Sequence, residues 1–399
     1  MLVPHLLLAL ALQAPTANEP SKQLVDPAVA TTADGIVRPA ANGTEQALLP
    51  ISFPSSHAAN LLQLKNGDLL CVWFAGSWEG NSGVGIVLSR LGRGSHTWTK
   101  PQLIDNHDGA SYQNPVLFQS PDGAVHIYHT TQGAGAGEAN SKVLEVVSHD
   151  NGRHWSAPTV LFDKGGSFTR HPLLVLSPKT WLLPMTYVTS KGIGAGAETN
   201  YSAMKLTRDG GAHWEECVVT DSFARVQPTV VQIDSRHFAA WFRDRKSQWV
   251  YRSTSSDGCH WSKPEPTELP NNNASVQAFR LQNGHIVLVF NNSHDDRSGP
   301  TPIPGLRKPL SIALSEDNGA TWSYIRDLET GRPGFGIEEQ RPKTPGREEY
   351  SYPTVTQTSD GRIHVAYTFR RQTTKEVTLD EGWIRQGSTE GLYKGPGTK

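Results

Sequence analysis

The chain has 399 residues, of which 37% are hydrophobic, so it can bury a core and is not disordered as a whole. Its 37 Lys and Arg residues nearly balance its 38 Asp and Glu residues, and this leaves no basic field to hold nucleic acid or an anionic bilayer. The 37 Gly, 27 Pro and 11 Trp residues are typical of many turns and packed rings rather than long helices. The composition therefore predicts an all-β fold.

The N-terminal residues 1–12 contain a short apolar run, and small residues follow it up to Ala17. This pattern predicts a signal peptide over residues 1–17 and a secreted or periplasmic protein. The run is too short to span a bilayer, and no later segment has 18 consecutive apolar residues, so we expect no membrane span. We interpret residues 18–47 as a leader and residues 386–399 as a flexible tail.

The three cysteines, Cys71, Cys217 and Cys259, are an odd number without the spacing of metal ligands. We therefore predict neither a disulfide framework nor a metal site, and the sequence contains no cofactor motif. Cys71 lies in an apolar run, which predicts a core position.

Six segments along the chain read as an apolar strand, a two-residue turn and a second apolar strand. Asn-Gly and Asp-Gly supply the positive φ angles that a tight hairpin needs. The turns lie at residues 66–67, 122–123, 178–179, 234–235, 283–284 and 360–361. Six such repeats predict a propeller of six blades over residues 48–385. A strand at residues 48–53 should close the ring by pairing with the last blade near residues 375–384.

A second repeat, Ser/Thr-x-Asp-x-Gly-x-x-Trp, lies between these hairpins at residues 148–155, 207–214 and 315–322. The Asp side chain should accept turn amides while the Gly takes the left-handed conformation and the Trp packs on neighbouring strands. A fourth copy at residues 254–261 has Ser256 at the Asp position, and a fifth at residues 89–98 is degenerate. These turns predict structure rather than a site.

The residues just before each inner strand should gather at one mouth of the propeller channel, where sites are usually built. These positions are polar in all six blades: His57 and Asn60; Gln113 and Asn114; Arg170 and His171; Arg225 and Gln227; Asn272, Asn273 and Gln277; Glu349, Tyr350 and Tyr352. Six loops that bring hydrogen-bonding side chains to one funnel predict a binding site. The alternative is that these residues only cap strands.

The Asp-box turns and six blades resemble the sialidase superfamily over about residues 51–384. On that resemblance, Arg243 and Arg307 match two of the family's carboxylate-binding arginines, and Tyr350, followed by Ser351, matches its tyrosine nucleophile. His57 stands where the family has its first arginine, and Gln227 stands where it has its catalytic glutamate. The loop at residues 76–83, where the family's acid/base Asp should lie, contains one acid, Glu79.

The retained residues predict an acidic sugar as ligand, because guanidinium groups bind carboxylates in a bidentate manner. Arg170 and Arg225 would assist, and Gln113, Asn114, Gln227, Asn273 and Tyr352 complete the predicted substrate contacts. Tyr350 needs a base to take its proton, and Glu348 is better placed for this than Glu349, because adjacent strand residues point to opposite faces. A histidine such as His57 can also act as a base near neutral pH.

We expect the chain to be monomeric. Three hypotheses for its function follow. The first is a sialidase-like exo-glycosidase in which Tyr350 attacks the sugar and Glu79 donates a proton to the leaving oxygen. The second is a lyase on terminal uronosides such as rhamnosyl-glucuronate, in which His57 or Tyr350 removes the C5 proton. The third is a non-catalytic propeller that binds an acidic oligosaccharide or glycoconjugate. Only elimination creates a conjugated double bond, so ultraviolet absorption by the product distinguishes the second hypothesis.

Overall fold

The computed structural model describes residues 25–189, 197–295, 306–331 and 348–392. The predicted signal peptide lies outside these ranges. The described strands form six sheets, arranged as the blades of a propeller. The all-β fold and the six-bladed propeller predicted from the repeats are confirmed. Among the described residues, no helix has the length and apolar composition needed to cross a membrane.

The described chain begins with helix α1 (Pro27–Thr32) and strands β1 (Arg38–Pro39) and β2 (Glu45–Leu48). Blade 1 contains β3 (Ser55–Gln63), β4 (Leu69–Gly76), β5 (Gly85–Leu91) and β6 (Gln102–Asp105). Blade 2 contains β7 (Ala110–Gln119), β8 (Val125–Gly133), β9 (Lys142–Ser148) and β10 (Thr159–Phe162). Blade 3 contains β11 (Ser167–Phe168), β12 (Leu174–Val175), β13 (Trp181–Tyr187), β14 (Tyr201–Thr207) and β15 (Glu215–Val218).

Blade 4 contains β16 (Arg225–Gln232), β17 (Phe238–Asp244), β18 (Trp249–Ser255) and β19 (Glu265–Pro270). Blade 5 contains β20 (Gln277–Arg280), β21 (Ile286–Asn291), β22 (Leu310–Ser315) and β23 (Tyr324–Glu329). Blade 6 contains β24 (Tyr350–Gln357), β25 (Ile363–Phe369) and β26 (Thr373–Leu379), and helix α2 (Glu381–Ile384) follows it. Neighbouring strands within each blade pair antiparallel, and the inner strand of blade 3 is split into β11 and β12.

The hairpins between inner and second strands form where the sequence predicts them, and in four of the six a glycine adopts a conformation that other residues rarely do. Gly67 has a φ of 92° between β3 and β4, and Gly123 has a φ of 98° between β7 and β8. The apolar residues of these strands are buried in six hydrophobic clusters, each between two adjacent blades. Cys71 is fully buried in the cluster between blades 6 and 1, which confirms its predicted core position.

The ring is closed by β2, which pairs antiparallel with β26 over residues 45–48 and 375–378. The predicted closing segment, residues 48–53, overlaps this strand only at Leu48. The pairing cannot continue far, because Leu49 donates its N–H to the Thr374 carbonyl at 2.9 Å and the next residue, Pro50, has no N–H to donate.

The predicted leader and tail both carry ordered structure in their described parts. β1 and β2 make residues 38–48 the outer strands of blade 6, and Asp26 forms an ion pair with Arg370 at 3.0 Å. In the tail, the Gly391 carbonyl accepts a hydrogen bond of 2.7 Å from the Asn292 amide of blade 5. Residues 38–47 of the predicted leader are thus part of blade 6, and the described part of the predicted tail contacts blade 5.

The Asp-box turns use the side-chain contacts that the motif predicts. Asp150 accepts the backbone N–H groups of Arg153 and His154 at 3.0 and 2.9 Å, and these hydrogen bonds lower the pKa of its carboxyl. The fourth copy forms the same turn, because Asp257 accepts the N–H groups of Cys259 and His260 at 2.8 Å. The sequence interpretation of that copy was wrong: it begins at Ser255 and is one residue shorter than the others.

A disulfide bond joins Cys217 on β15, the outer strand of blade 3, to Cys259 in the Asp-box turn of blade 4. The prediction of no disulfide is therefore corrected. An odd number of cysteines excludes complete pairing but not one bridge, and these two residues are 42 positions apart in sequence. The bond links the outer rims of two blades that otherwise meet through the cluster around Leu182, Met204 and Phe238.

Replacement of both bridge cysteines by serine should lower the free energy of unfolding by about 2–4 kcal/mol, because the unfolded chain gains conformational freedom. Chemical denaturation monitored by tryptophan fluorescence measures this loss. A reducing agent should lower the stability of the wild-type protein to that of the double variant and leave the variant unchanged. Equal stability of the wild-type protein with and without reductant would contradict a structural role for the bridge.

Candidate active site

The inner strands carry a β-bulge at the same place in four blades. The register shifts between His57 and Asn60 in blade 1, and corresponding shifts occur in the others at 113–116, 226–229 and 351–354. Each bulge contains a non-glycine residue with positive φ: Ala58, Asn114, Gln227 and Tyr352. Asn273, which precedes the inner strand of blade 5, has the same conformation. Because a bulge redirects a side chain and such conformations are strained, this repeated feature marks the channel mouth as a candidate site.

A cavity opens at this mouth, and every blade contributes to its wall. The predicted site residues that line it are Glu79, Gln113, Asn114, Gln227, Arg243, Arg307 and Tyr352. Sequence reasoning missed six further lining residues, Glu138, Phe168, Thr186, Val188, Arg245 and Arg371. Blades 4 to 6 supply mostly cationic groups. Blades 1 and 2 each supply one carboxyl group, Glu79 and Glu138, and the other groups from blades 2 and 3 are amide, hydroxyl and apolar.

Tyr352 lies among cations in this cavity. Its hydroxyl oxygen accepts a hydrogen bond of 2.5 Å from Arg243 Nη1. The guanidinium carbons of Arg170, Arg243 and Arg307 lie 5.2–5.6 Å from the centre of its ring. Burial alone would raise the pKa of Tyr352, but the charges of Arg243 and Arg307 outweigh it and lower the pKa below the ordinary tyrosine value.

Arg243 is held in place by two amide oxygens. Its Nε donates to Asn273 Oδ1 at 2.8 Å, and its Nη1 donates to Gln227 Oε1 at 3.0 Å. Asn273 therefore contacts the site through Arg243 rather than by lining the cavity. Burial lowers the pKa of Arg243 to about 10, so the group remains charged at neutral pH.

Arg307 and Arg371 share one buried carboxylate, Glu349. Its Oε1 accepts from Arg307 Nη1 at 2.6 Å and from Arg371 Nε at 3.1 Å. Arg371 Nη1 also donates to Glu79 Oε2 at 2.7 Å. The Arg371 carbonyl accepts the N–H of Ser56, beside the position where the sialidase pattern would place its first arginine and this chain has His57. The structure thus brings a third guanidinium to the cavity from the last blade. The position of Arg371 in the sequence could have identified it as a site residue. Arg371 closely follows the second strand of blade 6, and Arg243 lies near the end of the corresponding strand of blade 4.

Glu138 lies in a short 3₁₀ turn, Glu138–Asn140, that follows β8 in blade 2. Burial raises the pKa of its carboxyl, and this effect exceeds the opposing charge of Arg245. Arg245 Nη2 lies 3.6 Å from Glu138 Oε2, which is longer than a hydrogen bond. Of the two described glutamates that line the cavity, Glu79 accepts a hydrogen bond from Arg371, whereas Glu138 lies beyond hydrogen-bond distance of Arg245 and burial raises the pKa of its carboxyl.

Tyr350, predicted as the nucleophile, does not line the cavity. Its hydroxyl donates to Glu348 Oε2 at 2.9 Å, and its ring packs 5.3 Å from Phe369 in the cluster between blades 5 and 6. Burial raises its pKa. The bulge after Ser351 breaks the strand alternation, so Tyr352 rather than Tyr350 faces the cavity. Glu348, predicted as the helper of Tyr350, lies with it outside the cavity.

Three other predicted residues also lie outside the cavity wall. Arg170 occupies the channel, where it donates to acceptors of other blades. Arg225 donates to Asp244 Oδ1 at 3.0 Å and stacks on Tyr251. His57 is buried, with Nδ1 2.7 Å from Thr368 Oγ1, and its ring lies 4.1 Å from that of Tyr352. His57 is thus placed to support Tyr352 rather than to contact a ligand.

Residues 67–365, about three quarters of the chain, match the sequence profile of the BNR repeat-like domain. The chain belongs to this family. The structure resembles a Hadza microbial sialidase, at 14% identity and a TM-score of 0.65, over 83% of this chain and 67% of that one. It also resembles the NanB sialidase of Streptococcus pneumoniae, at 13% identity and a TM-score of 0.64, over 92% and 71% of the two chains.

A third similar structure is the intramolecular trans-sialidase of Ruminococcus gnavus, at 13% identity and a TM-score of 0.63, over 84% and 96% of the two chains. No curated protein matches the sequence. At these identities the structural matches show that this BNR-repeat protein has the sialidase-like fold, and its chemistry has to be argued from its own residues.

Tyr352 should ionise at a lower pH than the other tyrosines of this BNR-repeat protein, because Arg243 and Arg307 stabilise its phenolate. A titration that follows phenolate absorbance should show an early transition that is absent in Tyr352→Phe. Tyr350→Phe is the matched control and should retain the transition, since burial raises the pKa of Tyr350. Persistence of the earliest transition in Tyr352→Phe would show that the arginines do not act on this phenol.

Proposed function

We propose that this BNR-repeat protein is an exo-acting glycosidase that hydrolyses the bond to a terminal acidic sugar. The observation that carries the proposal is the hydrogen bond from Arg243 to the Tyr352 hydroxyl, in a cavity that also contains Arg307 and Arg371. This arrangement combines an activated oxygen nucleophile with a cluster of carboxylate-binding groups.

Arg243, Arg307 and Arg371 would bind the sugar carboxylate. Each guanidinium is fixed by a polar partner, which leaves its other N–H groups for a ligand and reduces the entropy lost on binding. Glu349 separates two of these cations and offsets their mutual repulsion. Gln113 and Asn114 from blade 2 supply amide groups suited to sugar hydroxyls.

Tyr352 would act as the nucleophile, because the charges of Arg243 and Arg307 stabilise its phenolate. The phenolate oxygen attacks the anomeric carbon, a tyrosyl–sugar bond forms, and the bond to the leaving oxygen breaks. Glu138 donates its proton to that oxygen. The Glu138 carboxylate then takes a proton from water, which attacks the anomeric carbon and releases Tyr352.

Gln227 favours a second candidate, a lyase on terminal uronosides. Its amide stands where a sialidase has a glutamate, and an amide cannot accept a proton from Tyr352. A phenolate stabilised by Arg243 could instead remove the C5 proton of a uronate whose carboxylate is neutralised by the arginines. The 4-linked sugar would leave with the proton that Tyr352 took from C5, and a C4=C5 double bond would form. Hydrolysis remains the first proposal because Glu138 lies in the same cavity and burial raises the pKa of its carboxyl, which favours a role as general acid.

Secretion or export to a periplasm is part of the proposal. The bond between Cys217 and Cys259 supports it, because disulfides persist in oxidising compartments.

Tyr352→Phe should lower the turnover of acidic glycosides by about 10³-fold or more, because it removes the nucleophile. Turnover is measured on a panel of sialosides and uronosides, with simultaneous reading of reducing ends and ultraviolet absorption. Tyr350→Phe is the matched control and should keep most of the activity. Reducing ends without ultraviolet absorption indicate hydrolysis, whereas both signals together establish the lyase. Full activity of Tyr352→Phe would refute both.

Glu138→Gln should lower the rate by about 10²–10⁴-fold on natural glycosides and much less on aryl glycosides, whose leaving groups need no proton. In the wild-type protein, kcat/KM should rise with pH and reach a plateau once Glu138 begins to lose its proton, above the ordinary glutamate pKa. In Glu138→Gln acting on aryl glycosides, the rise should continue until Tyr352 is ionised. An equal loss on both substrate types would mean that Glu138 is not the proton donor.

A further inference from the structure

Arg245 is a buried cation of the cavity that lacks a close acceptor. Its side chain is 6% exposed and lines the cavity wall. Among the described residues its Nε has no hydrogen-bond partner, and its nearest carboxylate oxygen is Glu138 Oε2 at 3.6 Å. The other three arginines that line the cavity each donate to a partner at 3.0 Å or less. A buried guanidinium without such a partner is costly and calls for an explanation.

The backbone holds Arg245 firmly at this place. Its N–H donates to the Ala224 carbonyl at 2.9 Å, which continues the ladder between Arg225 and Asp244. Arg245 therefore extends the line of β17, two residues beyond Arg243. Strand geometry places their Cα atoms roughly 6.5 Å apart, a distance comparable to the width of a pyranose ring. One sugar could reach both guanidinium groups.

We propose that Arg245 forms a second anion subsite, so that the preferred ligand is an acidic sugar carrying a second anionic substituent such as a sulfate ester. The inference rests on the proposed function, in which Arg243, Arg307 and Arg371 bind the sugar carboxylate. Arg245 would bind the second group through N–H groups of its guanidinium, the kind of paired donors that suit sulfate and carboxylate oxygens.

An anion fits this position better than a hydroxyl for two reasons. A guanidinium group carries a positive charge, and a neutral acceptor would leave that charge uncompensated. Glu138 compensates it poorly, because burial raises the pKa of that carboxyl. A bound anion would also remove the effect of the Arg245 charge on Glu138 and so favour the protonated acid that the proposed hydrolysis requires.

The test measures dissociation constants for methyl glycosides of glucuronic acid and N-acetylneuraminic acid, each unsulfated and in every singly O-sulfated form. The wild-type protein should bind at least one sulfated probe about tenfold tighter than its unsulfated parent. Arg245→Gln should reduce this preference to within about twofold and leave the affinity for the parent nearly unchanged. Arg245→Lys keeps the charge but loses the paired N–H donors of the guanidinium, so it should give an intermediate preference for the sulfated probe. This variant provides the test if Arg245→Gln does not fold.

Two controls make the result specific. Lys246→Gln removes one positive charge from the exposed neighbouring residue and should keep the preference for sulfate. Arg307→Gln should weaken the binding of sulfated and unsulfated probes alike. Unchanged binding of both would refute the carboxylate site of the proposed function. The second subsite is refuted if the wild-type protein prefers no sulfated probe, if Arg245→Gln retains the preference, or if Lys246→Gln removes it equally.

Discussion

The buried guanidinium of Arg170 is the interaction on which both the ring and the site depend. From blade 3 it donates to the Ala59 carbonyl of blade 1 at 3.0 Å, to Ser275 Oγ at the start of blade 5 at 3.2 Å, and to the Pro353 carbonyl of blade 6 at 2.9 Å. Burial lowers its pKa to about 10, so it remains charged at neutral pH. Its loss would leave buried acceptors on three blades without a donor.

The same contacts position Tyr352. Ala59 and Pro353 directly follow Ala58 and Tyr352, whose φ angles are 61° and 53°. Arg170 therefore fixes the carbonyl groups beside two strained bulges, and one of these bulges turns Tyr352 into the cavity. The charge of Arg170, 5.3 Å from the Tyr352 ring, adds to the positive field around the phenol. One side chain thus ties blade 3 to blades 1, 5 and 6 and adds to the positive charge around Tyr352.

The sequence predicts the fold well because the determinants of the fold are local. Asp-Gly and Asn-Gly turns and Asp-box turns each act within a few residues, so their spacing gives the number of blades. The site depends on contacts between distant parts of the chain. Tyr350 was chosen over Tyr352 because no local signal shows the bulge at residues 351–354. Glu138 and Arg371 were missed because each approaches the cavity from a loop whose destination is set only by the closed ring.

The positions where blades meet the cavity are equivalent in backbone but different in chemistry. The same left-handed conformation holds Ala58 in blade 1, Gln227 in blade 4 and Tyr352 in blade 6. The fold therefore supplies a ring of equivalent backbone positions near the channel mouth. The side chain at each position decides the chemistry of the site. This is why a shared propeller at 12–16% identity establishes the architecture without the reaction.

The third guanidinium shows how far such a site can be rearranged. His57 stands where a sialidase would have an arginine on the first inner strand, while Arg371 approaches from the far end of the chain, and the two meet because Ser56 donates to the Arg371 carbonyl at 2.8 Å. Closure of the ring makes the first and last blades neighbours in space. The last blade can therefore supply a cation beside the start of the first inner strand. The proposed acidic ligand would contact guanidinium groups that converge at the cavity from different blades, so the strand that carries each arginine matters less than where its side chain ends.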